Sequence, residues 1–136
     1  MDKQTGRYAA LTTRLVDSVL ATPGHTASEL RHAVLDRAAR SGGRRDPADK
    51  ARDGLPAQLA GYVDTVALHA YKVTDEDVVA LQRAGNSDDV LFEVTVSAAL
   101  GAALGRMERG LSALRGEASP PVPLSAARRG GTQEQR

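Results

Sequence analysis

Residues 88–115 read DDVLFEVTVSAALGAALGRMERGLSALR, and the centre of this run, VTVSAALGAALG at 94–105, has no charged side chain. Ser87 is a helix N-cap residue, and Asp88 and Asp89 fall in the first turn, where carboxylates favour the positive end of the helix dipole. With no proline to break it, the run predicts one helix of about 42 Å at ~1.5 Å per residue. From 94 to 105 every face of that helix is apolar or small, the mark of a helix buried all round. A chain of 136 residues barely surrounds such a helix, so a subunit interface is expected to supply part of the burial. The other reading is the central helix of a monomeric bundle. Gly101 and Gly105 each cost about 1 kcal/mol against alanine in a helix interior. Close approach of another helix would account for them.

Working outward, Thr74 caps a short helix whose first turn holds Asp75, Glu76 and Asp77, and Gly85-Asn86 ends it. Before it, 55–73 (LPAQLAGYVDTVALHAYKV) reads as a helix with Pro56 in its first turn, where a missing N–H does no harm. Residues 42–54 (GGRRDPADKARDG) are charged and rich in turn formers, an exposed loop. Two helices precede it. One covers 8–20 and is broken by Pro23-Gly24; the other follows Thr26-Ala-Ser-Glu29, a capping-box spelling, and ends near Gly42-Gly43. No strand-like alternation is sustained, so the fold class is all-α. The organisation is a helical pair at 1–41, the loop 42–54, a helical core at 55–116 that forms one domain with 1–41, and a tail at 117–136 too poor in apolar residues to fold.

Composition removes several function classes. There is no cysteine, so thiolate metal sites, disulfides and thiol redox chemistry are excluded. A net charge of +1 gives no electrostatic argument for nucleic acid or for a membrane surface. The uncharged run 94–105 is well short of the ~20 residues of a membrane span. No signal-peptide pattern opens the chain, which makes the cytoplasm the default location. No motif calls for a cofactor.

The helix at 55–73 carries an ordered polar stripe. At about 100° per residue, Gln58, Tyr62, Thr65, His69 and Lys72 share an arc of roughly 80°. Leu59, Val63, Val66, Ala67 and Ala70 hold the neighbouring arc. A solvated face usually carries more charge than this stripe, which has one at its end. The stripe is the candidate pocket wall, with His69 at least mostly buried and Tyr62 or Thr65 beside it. His69 would be the acid/base group, since its ordinary pKa lies near neutrality. The plain alternative is a buried histidine hydrogen-bonded to a neighbour.

From 55 to 116 the order of elements resembles the carboxymuconolactone decarboxylase and AhpD-like family. The carriers are a helix ending in a histidine (VALHA), a short acidic-capped helix (VTDEDVVALQRAG), then a long Ala/Gly-rich helix. The resemblance implies an all-helical, AhpD-like bundle and a homo-oligomer, usually a trimer or hexamer. Peroxidase-type members of the family carry Cys-x-x-Cys with a histidine four residues on. Aligned on His69, those cysteines fall on Tyr62 and Thr65. Disulfide exchange needs two thiols, so dithiol peroxidase activity is not expected. The relay glutamate of the family is not assignable, because the region just upstream of Tyr62 holds Asp46, Asp49 and Asp53 but no glutamate. The resemblance therefore implies a non-redox scaffold or small-ligand-binding protein, with catalytic roles for His69, Tyr62 and Thr65 and ligand contacts from Gln58 and Lys72 if the site is active. Two alternatives stand beside it. One is an acid/base enzyme of the lactone decarboxylase or isomerase type using His69. The other is a subunit recruited to a partner through its C-terminal tail.

Other features read more plainly. Lys72 and Glu93 are surface residues or an ordinary ion pair. His25 and His32 lie seven apart, but His25 precedes the helix cap, so no metal site is assigned. Arg44, Arg45, Lys50 and Arg52 form a basic loop largely neutralised by Asp46, Asp49 and Asp53. No aromatic residues interleave with them to stack bases, so the loop is read as solvated.

Overall fold

The computed structural model describes residues 3–45 and 54–116, and these build an all-α fold. In chain order the helices are α1 (Lys3–Ala21), α2 (Ser28–Gly42), α3 (Ala57–His69), α4 (Asp75–Arg83) and α5 (Asp88–Leu114), with a single 3-10 turn (Ala70–Lys72) after α3. Most of loop 42–54 and the whole tail 117–136 lie outside the described residues.

Three of the sequence boundaries rest on caps that form. Ser87 accepts from the backbone N–H of Val90, and Thr74 forms a complete capping box with Asp77. Gly43 ends α2 at φ 115°, in the left-handed region where glycine has no Cβ penalty. A fourth expectation fails. The spelling Thr26-Ala-Ser-Glu29 makes no capping box: α2 has Ala27 at its N-cap with no side-chain bond. Thr26 is instead committed to a tertiary contact described below.

α5 is the axis of the molecule. α2 lies along one side of it, and α3 closes the core. Val34 and Ala38 of α2, Leu59, Val63 and Ala67 of α3, Leu81 of α4, and Leu91, Val94, Ala98 and Ala102 of α5 form the main core. A smaller cluster joins Leu20 of α1 to Leu35 and Leu104, with Val16, Val19 and Leu100 at its margin.

The glycines of α5 explain the closeness of α2. A Cβ at Gly105 would lie 2.9 Å from the carbonyl carbon of Ala39 and 3.1 Å from its Cα. Gly101 meets Leu35 in the same way, and a Cβ on Gly42 would sit 2.5 Å from the carbonyl oxygen of Ala102. Carbon atoms ordinarily rest about 3.5–4.0 Å apart, so only hydrogen fits at these positions. The helix that approaches Gly101 and Gly105 thus belongs to the same chain. Ion pairs fasten the edges: Arg37 of α2 grips Asp64 of α3 with two hydrogen bonds of 2.7 and 2.8 Å. Arg44 grips Glu108 of α5 with bonds of 2.9 and 2.8 Å.

Within the single chain, burial of α5 is one-sided. Val94, Ser97, Ala98, Gly101, Ala102, Leu104 and Gly105 are buried, whereas Ala99 and Ala103 are exposed. By length and composition α5 could cross a membrane, but 44% of its most apolar window is packed inside this bundle.

Candidate groove between α3 and α4

Leu59, Ala60, Val63 and Ala67 pin α3 to the core. Residues one step round the helix from them therefore emerge at the rim. There Gln58, Gly61, Tyr62 and Thr65 of α3 face Asp77, Ala80 and Leu81 of α4 across an open groove of about 360 Å³. Three members of the polar stripe thus share one wall. The groove has Leu81 at its floor and polar groups on both sides.

The two hydroxyls of the wall are already engaged. Thr95 Oγ1 donates to the Leu91 carbonyl at 2.6 Å and lies 2.7 Å from the Tyr62 hydroxyl. A threonine hydroxyl has one proton, so Tyr62 donates and Thr95 accepts. This bond straps α3 to α5. Thr65 donates to the carbonyl of Gly61 at 3.0 Å, one turn back on its own helix. One Asp77 oxygen accepts from the Thr74 backbone N–H at 2.9 Å as half of the capping box. Gln58, exposed at the rim, is the most adaptable polar group facing the groove.

His69 and Lys72 do not join this wall. α3 ends at His69, whose backbone (φ −148°, ψ 57°) leaves the helical region before the 3-10 turn. The regular 100° step fails there, so the stripe divides into Gln58–Tyr62–Thr65 on the groove and His69–Lys72 off it. His69 is exposed rather than buried, and its ring meets Tyr71 edge-on at 5.9 Å. Lys72 Nζ lies 6.0 Å from the same Tyr71 ring. The expectation of a buried His69 beside Tyr62 or Thr65 is therefore wrong. Beyond His69 the chain passes through the 3-10 turn to Thr74, whose extended backbone (φ −110°, ψ 163°) caps α4.

The residue the sequence reading underrated is Glu93. Its carboxylate accepts the backbone N–H of His25 at 2.6 Å, the backbone N–H of Thr26 at 2.7 Å, and the Thr26 hydroxyl. The Thr26 hydroxyl does most to hold Glu93 below its ordinary carboxylate pKa. Partial burial opposes that shift, and the two amides and the Arg31 charge support it. A Cβ on Gly24 would run into this carboxylate. Arg31, 5% exposed, donates to the Leu20 carbonyl at 3.1 Å, and its Nε is buried without a hydrogen-bond partner. The assembly ties the α1–α2 loop to α5. It is a structural clasp, and no local pattern announces it, because the partners stand 67 residues apart in the chain.

Among the described residues no group of three or more His, Asp or Glu side chains could hold a metal ion. His25 is exposed and lies 3.8 Å from Asp89. Compared with known protein families, curated proteins and solved structures, the chain matches none.

Proposed function

We propose that the protein is a non-redox, homo-oligomeric scaffold or small-ligand-binding protein of the carboxymuconolactone decarboxylase and AhpD-like type, with the α3–α4 groove as its ligand site. The observation that carries the ligand reading is the groove itself, where Gln58, Tyr62 and Thr65 face Asp77 across an apolar floor. The absence of cysteine rules out the dithiol route of the peroxidase-type relatives. An acid/base role for His69 has little support: its ring is solvent-exposed, contacts Tyr71, and does not line the groove.

A ligand for this groove would be small, with an apolar body over Leu81 and a hydroxyl, amide or amine able to meet Gln58 and Asp77. The test is a screen of small hydroxylated and amine-bearing aromatic compounds against isotope-labelled protein by NMR. Binding should shift the amide signals of Gly61, Thr65 and Ala80, and Gln58→Ala should weaken it. A screen in which no compound perturbs those signals, or in which Gln58→Ala changes nothing, would overturn the ligand site.

A further inference from the structure

We infer that α5 pairs with α5 of a second copy of this chain, antiparallel, across a two-fold axis near Val96. The inference deepens the homo-oligomer reading above, and rests on it, by naming the surface and its symmetry.

The outer side of α5 is apolar and uncovered among the described residues. Phe92 is 69% exposed and Met107 44% exposed, and between them Ala99 and Ala103 are exposed and Val96 partly so. Their spacing of 92, 96, 99, 103 and 107 steps by three and four, the seam of a helix that packs against another helix. α1 extends the same surface. Val19 lines one small cavity with Phe92 and Val96, so α1 borders the seam. On α1, Tyr8, Leu11 and Leu15 are 62%, 49% and 53% exposed. An apolar surface spread over two helices in this way marks an interaction site.

Charge chooses the occupant and its direction. Asp88 and Arg106 are both exposed; within the chain Asp88 accepts from the Gln82 amide and Arg106 donates to the Ala67 carbonyl, leaving the second Asp88 oxygen and the other guanidinium N–H groups for a partner. The two residues stand eighteen residues apart, five whole turns, so they occupy the same edge of the seam near opposite ends. When two helices pair antiparallel about a two-fold axis, like edges meet. A seam with acid at one end and base at the other on one edge is then complementary to itself: Asp88 faces Arg106 of the second copy, twice. Parallel pairing would instead bring the acidic ends Asp88 and Asp89 together. Placing Asp88 opposite Arg106 sets the axis at residue 97, with Val96 beside it, Phe92 over the small residues near Ala103 of the other copy, and the two α1 surfaces on the same flank.

The missing cysteines make the test clean, because a single introduced thiol has no competitor. Full-length protein should scatter light as a dimer or a higher even-numbered assembly of the 14.3 kDa chain. Val96→Cys should form a covalent dimer on mild oxidation, whereas His32→Cys, at an exposed position of α2 outside the seam, should not. Asp88→Arg should weaken association roughly tenfold, since the two-fold axis counts each reversed pair twice. Arg106→Asp should do the same, with circular dichroism checking the fold because Arg106 also donates to the Ala67 carbonyl. The double reversal should restore association. A trimer in which Val96→Cys does not cross-link would overturn this pairing and leave the oligomeric reading standing. A monomer at micromolar concentration would overturn both. A full-length monomer that dimerises once 117–136 are removed would show that the tail, not a second copy, covers the seam, and would also overturn the pairing.

Discussion

Replacing Gly105 with alanine sets two effects of opposite sign against each other. Alanine favours a helix over glycine by about 1 kcal/mol, so by propensity alone the variant would be more stable. The new Cβ, however, would lie 2.9 Å from the carbonyl carbon of Ala39 and closer still to its oxygen. Restoring ordinary contact of about 3.5 Å requires the α2 backbone to retreat by roughly 0.6 Å at that carbon. Backbone inside a helix cannot rotate away as a side-chain tip can. The retreat also loosens Leu35 and Ala38 against Gly101 and Gly42 against Ala102, which pack equally close. Overpacking of this kind costs about 1–3 kcal/mol, occasionally more. The upper end applies here, giving a net loss of about 2 kcal/mol after the propensity gain. Gly110 is the internal control, since it lies in the same helix with nothing within 4 Å of an added Cβ. Gly110→Ala should gain about 1 kcal/mol. At roughly 4 °C per kcal/mol for a domain of this size, thermal unfolding followed by circular dichroism should show Gly105→Ala melting about 8 °C lower and Gly110→Ala about 4 °C higher. Protein concentration must be held fixed, because any self-association would shift the midpoint. A Gly105→Ala protein as stable as wild type would mean that α2 does not approach α5 as described.

Glu93→Gln should destabilise by about 2 kcal/mol at neutral pH, since charge-assisted bonds to Thr26 and His25 are lost. Because the folded carboxyl titrates below its ordinary value of 4.5, its stabilisation is present above that value and is lost as pH falls through the lowered folded pKa. The melting curves of wild type and Glu93→Gln should therefore converge in acid, and a gap that stayed constant with pH would contradict the clasp. Tyr62→Phe should cost about 1 kcal/mol in urea denaturation through loss of the strap to Thr95, and an unchanged midpoint would argue against that bond. His69→Ala, at an exposed position, should stay within about 0.5 kcal/mol of wild type. A larger loss would place the imidazole in the core after all.

Much of this architecture is legible along the chain, because its signals are local. Ser87 and Thr74 each need a partner only three residues away, so the starts of α5 and α4 can be read without knowing the fold. Gly43 ends α2 by its own backbone freedom. Gly101 and Gly105 announce a close helix by being costly where they stand, but not which helix comes close. The groove wall was half legible: Gln58, Tyr62 and Thr65 keep helical phase, and their shared face follows from spacing alone.

Tertiary structure decided the rest. His69 stands at the end of α3, where the backbone leaves the helical region, and it is exposed off the groove; periodicity within a helix does not register where the helix ends. Thr26 left its local capping box for Glu93, where one carboxylate on α5 accepts both its backbone N–H and its hydroxyl, which in the local box would itself act as an acceptor. The side of α5 facing α2 and the side left uncovered are equally apolar in sequence. Hydrophobicity has no direction. The small residues that let α2 come close, and the ion pairs that hold its edges, are what separate the chain's own core from the apolar side of α5 left uncovered among the described residues.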